Sequence, residues 1–477
     1  MISTASDLLA EQIGHVTSII FLMVMLWLGF IQIEFWIRNP KLISEKKHIR
    51  YGLFTSAGLA FVILLLFLTF TWELQWWTLA VAIALGFSLA LIGLNSALAF
   101  LVTLLLLRPF EISTVDPIIN SLPRAALLMV GTMFITRSLR ERSLKIFWSL
   151  ECTLLLLFVL WLLFSGTQSS DPIRAKNAFV DTIAKGAVLF LLICNVLRNH
   201  FDVRLFKNIL VASAFGVILS AIFYNVILLQ ADATGRLSYI GLLGDPNDIT
   251  AFAILALPFA LSPLWESRKK WYAQLFAITF LVSTLFMIYL AQSRGAILAL
   301  ISLCIAVVVF KTKRKKLALS AALVIATLYI PMQSLLKREA GDLNESGANR
   351  LVYWKTALNM AAQHPLMGVG FNDYPNRYEE YLTAEIESES GKRTAHSSWF
   401  LVLAENGLIG FFLFLALYLR TLVSSLKIRK THPEYMFSLI AYGVTMSFLS
   451  HAYLVFPYLL FAFTLISSDI LSNKDNI

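Results

Sequence analysis

Apolar runs long enough to cross a bilayer recur along the chain, separated by short polar links. The first is about Val16–Trp36 and the second about Tyr51–Thr71. The apolar block from Trp76 to Leu107 is too long for one helix, and Gly93-Leu94-Asn95 reads as the turn that splits it. Further spans end near Thr136, Phe164, Leu197, Leu229, Trp265, Leu290, Phe310 and Leu336. A long polar segment, roughly Lys337 to Ser397, then interrupts the pattern. A span over about Ser398–Leu419 follows, and Tyr435–Ile470 holds one kinked span or two short ones around His451 and Pro457. The pattern predicts an all-α, polytopic transmembrane helical bundle of about 12–15 spans with one long, partly helical loop.

Charge adds the topology. Basic clusters at 38–50, 137–145, 198–207, 268–270, 311–316 and 420–430 fall on one side of the membrane when the spans are counted. The excess of Lys and Arg in cytoplasmic loops then puts the N-terminus and the long loop outside. The chain divides into N-terminal transmembrane helices (1–243), a core that includes the loop (244–419, loop 337–397) and C-terminal transmembrane helices (420–477). Composition agrees: 58% of residues are hydrophobic and 14% charged, against about 25% charged in soluble domains. The net charge of +10 sits in short loops, so it is a topology signal and no nucleic-acid partner is expected. Met1 to His15 lacks the basic region of a cleavable signal. Cys152, Cys194 and Cys304 all lie in apolar runs and read as small core residues.

The candidate chemistry gathers at the outer ends of the later spans. Ala395-His396-Ser397-Ser398 opens a helix that Ser397 or Ser398 can cap. Glu405 and Asn406 follow about two turns on, where a membrane helix should be apolar, and Gly407 and Gly410 form a small face for close packing. An ionisable residue at the centre of a membrane helix costs about 2.5–3.5 kcal/mol on insertion scales, which makes Glu405 a candidate site residue. Gln292-Ser293-Arg294-Gly295 is a tight outer turn with a lone arginine that needs an anionic partner or ligand. In the long loop, Leu351, Trp354, Leu358 and Ala361 lie on one helical face; Asn349 is a plausible N-cap, with Arg350 in the first turn. His364-Pro365-Leu366-Met367-Gly368-Val369-Gly370 ends that helix in a glycine-rich turn. Ahead of the ninth span, Asn247 or Asp248 can serve as a cap. Each residue type also has a plain structural use: a loop histidine, a snorkelling arginine, a capping Asn or Asp. Walker, HExxH and zinc-type Cys/His patterns do not occur, and the outer loops near the N-terminus hold no paired acids of the kind that carry a divalent ion.

Taken together, these motifs resemble the O-antigen ligase and polymerase family of bacterial polytopic membrane glycosyltransferases. His396-Ser397, nine positions, then Gly407-Leu408-Ile409-Gly410 resembles the ligase histidine pattern. Ser293-Arg294-Gly295, Arg350 with Tyr353-Trp354, the turn at 364–370 and Gly244-Asp245-Pro246-Asn247-Asp248 are similar to further family motifs, over roughly Gly244–Gly410. The family commonly has twelve spans with both ends inside, fewer than are counted here.

The resemblance implies transfer of a glycan from undecaprenyl diphosphate to a hydroxyl acceptor at the periplasmic face of the bacterial inner membrane. That transfer is metal-independent, inverting and without a cofactor. Lipid A-core is the favoured acceptor; a growing glycan or a protein Ser/Thr would use the same residues. His396 is then the general base, and Arg294 and Arg350 hold the diphosphate. Ser293, Tyr353, Trp354, Glu405, Asn247 and Asp248 are expected to contact substrate, with Glu405 orienting His396 or balancing the arginines. The partners are the lipid-linked glycan donor, a glycolipid or glycan acceptor and the lipid bilayer. A repeat-unit polymerase, a protein O-oligosaccharyltransferase and a non-enzymatic glycolipid transporter are the alternatives.

Overall fold

A computed structural model describes residues 146–226, 236–237, 245–265, 271–311, 340–382 and 393–472, with isolated positions 127, 130, 131, 134 and 135. The expected spans ahead of residue 127, the span ending near Leu336, and the basic clusters at 38–50, 137–145 and 268–270 lie outside the described residues.

Among the described residues the chain is helical throughout, with no strand. The helices are α1 (Leu150–Gly166), α2 (Pro172–Asp181), α3 (Ile183–Val196), α4 (His200–Val226), α5 (Pro246–Leu261), α6 (Trp271–Ala291) and α7 (Arg294–Lys311). They continue with α8 (Ala340–Gln363), the single turn α9 (Tyr374–Arg377), α10 (Ser398–Leu426), α11 (Glu434–Met446) and α12 (Val455–Ser472). Among the described residues six stretches are long and apolar enough to cross a membrane: Pro172–Val196, His200–Phe223, Pro246–Leu264, Trp271–Ala291, Ser398–Leu426 and Val455–Ser472. The protein is a polytopic helical membrane protein.

Local chemistry sets several helix starts. Ser149 caps α1 by accepting from the Cys152 amide. Asp171 caps α2, whose first residue is Pro172, a position where the missing N–H costs nothing. Asp245, not Asn247 or Asp248, caps α5: its carboxylate accepts from the Asn247 amide at 2.7 Å. Pro246 takes the first helical position, so the cap falls two residues before Asn247 and three before Asp248.

The described helices fall into two compact units. The first holds α4 and α6, where Phe215 meets Phe276 at 5.2 Å and Phe280 at 5.7 Å. There the Arg236 guanidinium donates to the Ala291 carbonyl at 3.1 and 3.0 Å, closing the C-terminal end of α6. The second unit holds α1–α3, most of α5, and α7–α12. In it α1, α8, α11 and α12 pack on α10, and α7 packs along α11.

Of the two forms expected for the C-terminal stretch, the structure has two helices, α11 and α12, joined by the link 447–454. Two expectations change. Helix α8 begins at Ala340, so Asn349 is internal rather than a cap, and Arg350 meets no first-turn dipole penalty. A lone glycine such as Gly347 costs only about 1 kcal/mol inside a helix, too little to end one. The buried face of α8 also differs. Leu351 is 63% exposed and Leu358 48%, whereas Tyr353, Ala357 and Met360 are buried.

Helix α10 is not straight. Gly407 has φ 62 and ψ −166, and the helix breaks there. At the break the segment 365–370 takes over the ladder. The Leu408 amide donates to the Pro365 carbonyl at 2.8 Å instead of to its own helix. The Val369 amide donates to Ala404 O at 2.9 Å and the Gly370 amide to Glu405 O at 3.0 Å. Ser165 Oγ donates to Glu405 O at 3.0 Å and Trp161 Nε1 to Asn406 O at 2.9 Å. The freed carbonyls are thus re-satisfied, as an apolar medium requires. The two backbones touch: a Cβ on Gly368 would strike the backbone at Glu405, and one on Gly407 would strike that of Leu366. Gly407 is therefore a backbone crossing and not the open packing face its spacing with Gly410 implies.

Candidate active site

The site begins at the start of α10. Ser397 caps the helix, its Oγ accepting from the Phe400 amide at 3.5 Å. His396, just before it, has φ 45, the left-handed region that non-glycine residues seldom enter. A non-glycine residue held there is over-determined by its surroundings, a feature that clusters at functional sites. Its ring lies 5.5 Å from that of Tyr353 on α8.

Tyr353 is itself fixed from behind. Its carbonyl accepts from the Tyr374 hydroxyl at 2.8 Å, and its ring meets Tyr378 at 5.8 Å. Burial pushes the Tyr374 phenol up, so it remains a neutral donor.

Arg350 and Trp354 are one helical turn apart on α8 and share a partner, Phe448 in the 447–454 link. The Arg350 guanidinium carbon stands 5.9 Å from the Phe448 ring centroid. The Trp354 ring is 6.2 Å from Phe448 and stacks on Phe400, two residues into α10, at 5.2 Å. The third segment meets the same ring. Ser293 caps α7 by accepting from the Ala296 amide at 3.3 Å, which makes Arg294 the first helical residue. A Cβ on Gly295 would lie 3.4 Å from Phe448 Cβ, so this turn sits flat against it. Among the described residues, two buried polar atoms here find no partner: Trp354 Nε1 and Gln292 Oε1. Gln292 is also at positive φ, 50.

Glu405 works differently from the sequence expectation. It is 1% exposed, and its carboxylate accepts from the Asn372 amide at 3.0 Å and the Tyr374 amide at 3.0 Å. The Tyr453 hydroxyl, which accepts from Asn406 Nδ2 at 2.7 Å, also bonds the carboxylate. Glu405 therefore anchors the turn after Gly370, and through Tyr374 the back of Tyr353. Asp373 ties the same turn to the α1–α2 link, accepting from the Ser170 amide at 2.8 Å and the Ser170 hydroxyl at 2.6 Å.

The second unit thus places Arg350 and Trp354 on Phe448, which the Gly295 end of the Ser293–Arg294 turn also meets, and His396 on Tyr353, the residue beside Trp354. Asn247 and Asp248 belong to the first unit, where Asn247 Nδ2 donates to Asp245 Oδ1 at 2.7 Å. Sequence reasoning missed Phe448, Tyr453 and the backbone strain at His396. The first two are aromatics in an apolar stretch and carry no local signal; the third is invisible without φ.

Residues 277–415 match the family model described as O-antigen ligase. Over that segment the chain is similar to the O-antigen ligase family. The matched segment runs from within α6 into α10 and contains Arg294, Arg350, His396 and Glu405. Asp245 to Asp248 precede it, and Phe448 and Tyr453 follow it. Compared with curated proteins, the chain has no match.

Proposed function

We propose that the protein transfers a glycan from undecaprenyl diphosphate to a hydroxyl acceptor, lipid A-core in the first instance, at the periplasmic face of the bacterial inner membrane. The family match supports glycosyl transfer of the O-antigen ligase and polymerase kind. The observation that carries the finer reading is the meeting of two arginine-bearing segments at Phe448, with the strained His396 on Tyr353 next to them.

In this reading His396 takes the proton of the acceptor hydroxyl as its oxygen attacks the anomeric carbon. The bond from that carbon to the phosphate oxygen breaks, and the electron pair leaves with undecaprenyl diphosphate. Arg294 and Arg350 hold the diphosphate by their guanidinium forks and stabilise the charge that grows on it. Attack from the face opposite the leaving group inverts the anomeric centre. Ser293 fixes the Arg294 turn, and Trp354 Nε1 is a donor available to a substrate oxygen. Asn247 and Asp248 remain proposed substrate contacts by resemblance alone. Glu405 is proposed as a positioning residue, acting through the loop it anchors.

The test is incubation of purified protein with an undecaprenyl-diphosphate-linked glycan and, separately, lipid A-core, a free glycan acceptor and a Ser/Thr peptide. Product with lipid A-core, undiminished by excess EDTA, is the expected outcome. Product only with the glycan acceptor makes the protein a polymerase. Activity lost in EDTA and restored by Mg²⁺ or Mn²⁺ overturns the arginine account of the diphosphate.

A further inference from the structure

The 447–454 link lies beyond the family match, yet it touches the start of α7, the Arg350 turn of α8 and the first residues of α10. It is pinned along its length. Trp399 Nε1 donates to Ser447 Oγ at 3.1 Å. Ser398 Oγ donates to the Leu449 carbonyl at 2.6 Å and accepts from the His451 amide at 2.9 Å. Tyr453 is held by Asn406, and its ring packs on Phe371 at 4.9 Å. Phe448 is therefore placed by the fold, before any ligand arrives.

We infer that Phe448 is a positioning residue for the donor diphosphate, setting the orientation of Arg350 and the distance between Arg350 and the Arg294–Gly295 turn. The inference rests on the glycosyl-transfer reading. Its physical basis is the contact pattern of one ring. Arg350 lies over the ring at 5.9 Å, inside the range of about 6 Å in which a guanidinium is drawn to an aromatic face. Trp354, one turn along α8, closes on the same ring, so the helix bearing Arg350 is indexed to it twice. Gly295 also lies against Phe448 Cβ and ring, where a Cβ would already be in van der Waals contact.

The experiment uses the full chain in detergent, with farnesyl diphosphate as the binding probe and the lipid-linked glycan for kinetics. Phe448→Leu should weaken farnesyl diphosphate binding by roughly 3- to 30-fold, the span expected from losing a cation–π contact. The donor KM should rise while the acceptor KM stays put, and Phe448→Trp should restore binding. Incorporation of mono-, di- and trifluorophenylalanine at 448 drains the ring face of electron density at nearly constant shape. Binding should fall stepwise along that series, a trend that packing alone does not produce, and one that remains measurable if Phe448→Leu does not fold. Equal binding across the fluorinated series, with normal binding by the unsubstituted protein, overturns the inference and leaves the transfer reading standing. An unsubstituted protein that fails to bind farnesyl diphosphate overturns the transfer reading and the inference with it.

Discussion

Two neighbouring regions of α10 are built on opposite rules. Around Gly407 almost every polar group has a partner: the Glu405 carboxylate on two amides and a phenol, the carbonyls of 404–406 on donors from α1 and the 365–370 segment. Asn406 Oδ1 is the exception. About three turns away, around His396, the chain keeps a left-handed histidine and an arginine against a ring. Beside them it leaves a buried indole N–H and a buried amide oxygen unpartnered. A buried unsatisfied group costs about 1–3 kcal/mol. A fold that satisfies one region so fully and leaves its neighbour short fits the proposed division into scaffold and site. The difference predicts how the two regions respond to mutation: the first should lose stability, the second rate.

The sharpest division is His396→Ala. Transfer should fall by about 10²–10⁴-fold, the usual worth of a general base, with donor binding and thermal stability retained. Near-normal transfer by that variant would reduce His396 to a strained loop residue and favour the transporter reading. Glu405→Ala should do the reverse. Two buried amides lose their acceptor, a loss of about 1–3 kcal/mol, read as a lowered melting temperature, while whatever protein stays folded retains much of its turnover. A variant with unchanged stability and abolished transfer would move Glu405 from the scaffold into the substrate contacts. The smallest effect belongs to the outer face of α8. Leu351→Ser, at a residue 63% exposed, should change stability by less than about 0.5 kcal/mol. A larger change would mean that this leucine has a buried partner.

Much of this was legible in the chain. Ser397 as a cap, the break between α11 and α12 near His451, the helix through Arg350 and the arginine turn at 292–295 all follow from local residue chemistry, and the order of motifs carried the family. What escaped was whatever depends on partners distant in sequence. Leu351 and Leu358 repeat at seven, but so do Tyr353 and Met360, and only packing against α10 decides which stripe is buried. The Gly407 spacing fits a smooth helix face as well as a break, and the choice is made by Leu366 some forty residues earlier. Phe448 is one of 36 phenylalanines, and its sequence neighbours do not mark it out from the rest.

The break in α10 also bears on how the chain is made. A straight span can enter lipid alone, because it satisfies its own backbone. This one cannot, since Leu408 N–H and the carbonyls of 404–406 depend on Pro365, Val369, Gly370, Ser165 and Trp161. All five lie earlier in the chain, so a ribosome has already delivered them when residue 408 emerges. The order of synthesis therefore matches the order of need. The outer segment has to cross, fold back and wait beside α1 before the next span can settle. Moving the 365–370 segment downstream of α10 by circular permutation would keep every contact and reverse that sequence, exposing a broken span to lipid with nothing to complete it.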